Sequence, residues 1–201
     1  MDKAIDLALV GASGVVGNKI ISLLEKKNIN IENFYPLGSA SVGQEVTLNN
    51  TNYQIEDLSS FDCSKVNLAI FSAGSKVAKE YAKSFVNQGV YVIDLSSEFR
   101  YEENIPLIIP EINGSLLEDI KKPSLIANPN CSVSQLLMVL DPIHKEYSID
   151  FLNIATYQAV SGTGKDAIDE LYNQTKDQSM EPNIYPKNIA FNVIPQCDIF
   201  L

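Results

Sequence analysis

The succession of apolar runs and amphipathic segments predicts an α/β protein whose mostly parallel sheet is covered by helices on both faces. Two observations carry this expectation. Runs of strand length, such as Ile5-Asp6-Leu7-Ala8-Leu9-Val10, are separated by stretches with apolar residues at helical spacing. The first strand-to-helix junction also holds glycines at Gly11, Gly14 and Gly17, which mark a tight turn rather than an open loop.

The first strand stops at Gly11, and from Val15 the pattern becomes helical. Val16, Ile20, Leu23 and Leu24 form the apolar stripe, with Lys19, Glu25, Lys26 and Lys27 on other faces. Further strands are expected over residues 33–37 and 67–71. A helix over 76–88 ends at Gly89, a residue suited to the left-handed conformation at a helix C-terminus, and 90–95 returns as a strand. Shorter apolar runs at 107–109 and 124–127 precede a helix over 134–145 and a strand over 151–157. The motifs place a domain boundary near Pro129, dividing the chain into 1–130 and 131–201. Residues 189–201 alternate apolar and polar like a further strand and stop without a cap, so more chain is expected beyond them.

The 201 residues are 45% hydrophobic and 20% charged, enough for one large domain or two small ones with a buried core. A net charge of −10 argues against a broad electrostatic grip on nucleic acid. No apolar run approaches the roughly 20 residues that cross a bilayer, so no membrane role is expected. Met1-Asp2-Lys3-Ala4 lacks the layout of a secretory signal, and a reducing cytoplasm is the expected compartment. Cys63, Cys131 and Cys197 are too few and too scattered for a disulfide framework or a zinc site.

The glycine turn reads Gly11-Ala12-Ser13-Gly14-Val15-Val16-Gly17. Gly11 permits the sharp turn, Gly14 lets backbone approach a pyrophosphate, and Gly17 lets the helix pack closely. An anion at the helix N-terminus meets unpaired N–H groups and a favourable dipole. The spacing varies the dinucleotide fingerprint, which makes the sheet Rossmann-like; the competing reading is a purely structural turn. An acid at the end of the second strand would select NAD and a base NADP. Leu37-Gly38-Ser39-Ala40-Ser41-Val42-Gly43 contains neither, and the missing acid leans toward NADP.

Asn128-Pro129-Asn130-Cys131-Ser132 joins a strand to a helix bearing Leu136, Leu137, Val139 and Leu140. Cys131 therefore falls at a helix N-terminus, where dipole and N–H donors favour a thiolate and can hold an oxyanion. The plainer reading is a buried cysteine acting as a small hydrophobe, against which its polar neighbours argue. Cys63 and Cys197 have no activating surroundings. His144, the only histidine, follows Leu140 and Ile143 near a helix C-terminus, a structural place that suits a cation. Arg100 is either an anion ligand or half of a surface ion pair with Glu102 or Glu103.

Six motifs occur together in the order and spacing that resemble aspartate-semialdehyde dehydrogenases. These are 11–17, Phe71-Ser72-Ala73-Gly74, Pro110-Glu111-Ile112-Asn113, 128–132, Tyr157-Gln158-Ala159-Val160-Ser161-Gly162 and Ile189-Ala190-Phe191-Asn192. The resemblance covers essentially the whole chain. It implies that Ser13, Gly14, Val15 and Val16 line the pyrophosphate of NADP, with Ala40 and Ser41 at the adenosine ribose. It implies Cys131 as acyl-thioester nucleophile, Asn130 beside it, and Gln158 holding substrate. Ser161 and Gly162 would flank the nicotinamide, and Arg100 would bind substrate phosphate or inorganic phosphate. Asn130 could orient the thioester oxygen while capping the helix.

The reaction so implied reduces L-aspartyl-4-phosphate to L-aspartate 4-semialdehyde, with phosphate released, on the way to lysine, methionine and threonine. The fold implied is a Rossmann-like domain followed by the start of an α+β catalytic and dimerisation domain, in an enzyme that is a homodimer when complete. Many relatives carry a basic residue near the position of Ala40, which is uncharged here. The resemblance also places a general-base histidine and a substrate arginine beyond Leu201, so a chain ending there is expected to be inactive. N-acetyl-glutamyl-phosphate reductase is the related alternative; that family has glycine where Asn130 precedes the cysteine. A non-catalytic nucleotide-sensing module, with Cys131 inert, is the alternative from another class.

Overall fold

The computed structural model describes residues 4–195, in two compact units divided after Asp150. In chain order the first unit holds β1 (Ile5–Val10), α1 (Val15–Lys26), β2 (Ile31–Gly38), β3 (Glu45–Leu48), β4 (Thr51–Gln54) and β5 (Glu56–Asp57). It continues with β6 (Leu68–Phe71), α2 (Ser75–Asn87), β7 (Tyr91–Asp94), α3 (Pro110–Asn113), β8 (Leu125–Ala127) and α4 (Cys131–Tyr147). The second unit holds α5 (Lys165–Lys176) after a short turn at Val160–Gly162.

Six strands form one sheet in the order β5-β2-β1-β6-β7-β8, and every neighbouring pair in it is parallel. Parallel neighbours need crossovers that cover the sheet, so β1 is apolar on both faces. Leu7 and Leu9 pack with Ile21 of α1, whereas Ala8 and Val10 pack with Ala78, Ala82 and Phe85 of α2. Phe71 meets Phe85 edge-on at 5.3 Å, tying β6 to its crossover helix. Sequence order reverses beside β1: the chain leaves it by α1 toward β2, and β6 lies on its other side. That reversal opens a crevice beyond the carboxyl ends of β1 and β6.

Several expectations change in extent. The second strand runs over 31–38 rather than 33–37, and the helix expected over 134–145 begins at Cys131 and ends at Tyr147. The sequence reading omits the hairpin β3–β4, whose turn residues Asn49 and Asn50 both have positive φ, at 48° and 61°. Asparagine pairs tolerate that conformation, and the flanking alternation of Val46 and Leu48 was the available signal.

The strand expected over 151–157 does not form. Phe151 and Tyr157 are 82% and 92% exposed. A strand is stabilised by a neighbouring strand's backbone, and no strand among the described residues pairs with this segment. Of residues 189–201, those up to 195 form turns and coil instead of a strand, and 196–201 lie outside the described residues. Side chains of α5 hold this part of the chain in place of a ladder. Glu170 accepts from Asn183 N and Ile184 N at 2.7 Å, and Gln174 Oε1 accepts from Ile189 N at 2.8 Å. Burial pushes the Glu170 carboxyl upward, but N–H donors from Ile184, Asn183 and Tyr185 together bring it below its ordinary value. Among the described residues, no helix is long and apolar enough to cross a membrane.

Two outcomes follow from this packing. A Cβ on Gly17 would lie 2.2 Å from Gly11 O and 2.7 Å from Ala12 O, backbone atoms with no freedom to retreat. Gly17→Ala is expected to cost about 1–3 kcal/mol, read as a lower urea midpoint by circular dichroism; an unchanged midpoint would show that the turn yields. Because the folded Glu170 carboxyl lies below its ordinary value, its contribution is present above that value and lost as pH falls through the folded one. Amide-exchange protection at Asn183 and Ile184 should therefore fall on acidification below about pH 4 and be reduced at neutral pH by Glu170→Gln. Equal protection in both proteins would contradict it.

Candidate active site

The parallel sheet brings the carboxyl ends of its strands to one edge, and the candidate residues of the first unit lie along it. After β1, Gly11 takes φ +86°, and a Cβ there would come within 3.0 Å of Ala73 N and Ser72 Oγ. The turn after β1 therefore touches the turn after β6, which is possible only without a side chain. Ser72 Oγ donates to Val10 O at 2.8 Å, and Gly11 N donates to Leu37 O at 2.8 Å. Asn18 Nδ2 donates to Ser13 O and Gly14 O at 3.0 and 2.9 Å, holding the turn from the helix side.

Gly14 is the N-cap of α1; no side chain caps it, and the first turn carries no acid. The helix thus begins with uncompensated N–H donors beside exposed Val15 and Val16. These features fit the pyrophosphate of a dinucleotide, which supplies the missing acceptors. The loop beyond β2 places Ala40 on the surface and Ser41 half-buried; a Cβ on Gly38 would meet Ser41 Oγ at 2.5 Å.

Beyond β7 the chain turns through Ser96 and Ser97 to Arg100. Arg100 Nε donates to Asn128 O at 2.9 Å, and Nη2 donates to Leu95 O at 3.3 Å. The ion pair with Glu102 or Glu103 is absent among the described residues: Glu102 binds Lys83 at 3.1 Å, and Glu98 binds Lys79 at 3.3 Å. A guanidinium carries five N–H donors, so the two carbonyls leave donors for an anion. Asn128 stands three residues before Cys131, and Arg100 is thereby fixed to the segment that carries the thiol.

Cys131 is the first residue of α4 and is exposed. Exposure removes the reading of it as a buried hydrophobe. Asn130 is the N-cap; its Oδ1 accepts from Ser132 N at 2.9 Å and lies 3.8 Å from Cys131 Sγ. The capping role of Asn130 is thus formed, with its Nδ2 bound to no protein group among the described residues. Cys63 differs: it is half-buried against the core, and burial pushes its thiol up, with the Asp62 charge adding to the effect. Cys197 lies outside the described residues. His144 Nδ1 lies 3.1 Å from its donor Ile149 N, so the ring helps to close α4, a structural role.

Gln158, Ser161 and Gly162 are exposed in the second unit, with Thr156 Oγ1 donating to Gln158 Oε1 at 3.4 Å. In the first unit the structure gathers the glycine turn, Arg100, Asn130 and Cys131 along one sheet edge. Sequence reasoning missed Asp94, the last residue of β7, which is fully buried. An acid closing an otherwise apolar strand, two residues before a serine, was its only signal.

Comparison with known proteins identifies the family. The model of the semialdehyde dehydrogenase NAD binding domain matches residues 6–120, and that of the semialdehyde dehydrogenase dimerisation domain matches 140–201. The chain is 45% identical to an aspartate-semialdehyde dehydrogenase of Legionella pneumophila and 42% identical to one of a Shewanella strain, over its whole length. It spans 59% and 61% of those two proteins. It also superposes on the crystal structure of aspartate semialdehyde dehydrogenase II complexed with ASA from Vibrio cholerae. There the TM-score is 0.95 and the identity 36%, covering 100% of this chain and 61% of the other. The two family models together cover most of the chain, and the protein belongs to the semialdehyde dehydrogenase family.

Proposed function

We propose that this chain supplies the cofactor crevice and the nucleophile of an NADP-dependent aspartate-semialdehyde dehydrogenase. The carrying observation is exposed Cys131 at the start of α4, on the sheet edge that holds the glycine turn, with Arg100 bound to Asn128 in the turn leading into it. Strand order supports one direction for the cofactor. Ala40 and Ser41 follow β2 on one side of β1, and Cys131 follows β8 on the other. A dinucleotide with its pyrophosphate on α1 and its adenosine over β2 points its reactive ring toward Cys131.

In the biosynthetic direction the Cys131 thiolate attacks the acyl carbon of L-aspartyl-4-phosphate. A carbon–sulfur bond forms, the bond to the phosphate oxygen breaks, and phosphate leaves with the electron pair toward Arg100. The N–H groups at the start of α4 and Asn130 Nδ2 face the oxygen that gains charge. NADPH, when bound, supplies hydride to the thioester carbon. Breaking the carbon–sulfur bond then restores the Cys131 thiolate and frees L-aspartate 4-semialdehyde. Gln158 orients the substrate, and Ser161 and Gly162 border the nicotinamide. The product serves lysine, methionine and threonine synthesis. The complete enzyme is a homodimer of the reducing cytoplasm, where Cys131 stays a free thiol.

Three measurements test this reading. Iodoacetamide at neutral pH should modify Cys131 well before Cys63, as read by peptide mass mapping, because one thiol is exposed at a helix start and the other is half-buried. Equal rates would remove Cys131 as the nucleophile. In the complete enzyme, Cys131→Ser should abolish phosphate-dependent NADP reduction by L-aspartate 4-semialdehyde while leaving NADP binding intact. Ala40→Arg should raise the preference for NADP over NAD about tenfold in binding titrations, since a guanidinium adds a charge-assisted bond to the 2′-phosphate. An unchanged ratio would place the 2′-phosphate elsewhere.

A further inference from the structure

We propose that Asp94 is a positioning residue for Arg100, clamping the loop that presents this guanidinium beside the cysteine-bearing turn. The inference rests on the reading of Arg100 as the anion ligand. Asp94 is 0% exposed, and each of its carboxylate oxygens has a partner. Oδ1 accepts from Ser96 N at 3.1 Å, and Oδ2 accepts from Ser96 Oγ at 2.7 Å. Ser96 Oγ in turn accepts from Glu98 N at 3.1 Å, so one buried carboxylate fixes the chain over residues 94–98.

The backbone of the same residue reaches the other side of the site. Asp94 O accepts from Asn128 N at 2.8 Å. The two carbonyls holding Arg100 belong to Leu95 and Asn128. The first is covalently next to Asp94, and the second belongs to the residue bound by the Asp94 carbonyl. A shift of Asp94 therefore moves both halves of the cradle together. Burial raises the Asp94 carboxyl above its ordinary value, while the Ser96 donors and the Arg100 charge act against that rise. An apolar residue would fill the space without a desolvation cost, but it would accept nothing from Ser96.

Asp94→Asn separates positioning from plain electrostatics because the two effects have opposite signs. The amide removes a negative charge near Arg100, which by charge alone would tighten anion binding. It also replaces one of the two carboxylate oxygens with a donor, and because Ser96 donates to both of them, from N and from Oγ, one of those two bonds is lost. Positioning therefore predicts looser binding. Ser96→Ala breaks the same link with the charge retained, and it serves if Asp94→Asn does not fold.

In a proton–nitrogen spectrum of the complete protein, the Arg100 Nε–H signal is identified by its loss in Arg100→Ala. In the parent protein this proton, bound to Asn128 O, should exchange slowly with water. In Asp94→Asn and Ser96→Ala its exchange should quicken by on the order of tenfold, with backbone signals of the glycine turn unmoved. Titration with inorganic phosphate should show about tenfold weaker binding in both variants. Unchanged Nε–H exchange in both variants, or tighter phosphate binding in Asp94→Asn, would overturn the proposal. Arg100→Ala is the separate control. If it retains phosphate affinity, the anion-ligand reading of Arg100 fails, while the Nε–H exchange still decides the role of Asp94.

Discussion

Parallel pairing along both edges of β1 is the constraint on which the first unit depends. A parallel partner on each side requires two crossovers, and helices placed on opposite faces leave room only for apolar residues over 7–10. The same pairing collects the strand ends at one edge. The turn after β1 then has to pass close to the turn after β6, which explains why Gly11 lies within 3.0 Å of touching Ser72 and Ala73 through a Cβ it lacks. Gly17 extends that constraint into α1, whose first turn rests on the backbone of Gly11 and Ala12.

Two helix starts on this edge are finished in different ways, and the difference suits different tasks. Gly14 caps α1 without a side chain, leaving several N–H groups for a large, diffuse anion. Asn130 caps α4 with its own Oδ1, which spends one donor and fixes the geometry around Cys131. A nucleophile needs a defined direction more than it needs an open nest. Arg100 adds the third component, a fork of donors whose placement comes from two backbone carbonyls rather than from a counter-charge. A guanidinium held in that manner keeps its charge available, whereas an ion pair with Glu102 would have neutralised it.

The second unit follows another organising rule. Its described residues form no strand, and the chain after α5 is held by two side chains one helical turn apart, Glu170 and Gln174. Gln174 is fully buried, with Oε1 shared between Ile189 N and Ala190 N, while its Nε2 has no partner among the described residues. A buried donor without a partner costs stability, which the two bonds accepted by Oε1 work to offset.

The sequence by itself determined the elements whose signals are local. The apolar run 5–10, the glycine spacing and the helical stripe from Val15 specify β1, the turn and α1, because each depends on residues within one or two turns of chain. The polar turn around Cys131 was legible for the same reason, down to Asn130 as its cap. What the tertiary structure decided is non-local. Arg100 took carbonyls of Leu95 and Asn128 instead of Glu102, since only folding shows that Lys83 already holds that acid. Asp94 reads as an ordinary strand-end acid until β8 and the loop after β7 close over it. Residues 151–157 hold the apolar and aromatic residues of a strand, but a strand exists only where another backbone completes its hydrogen bonds.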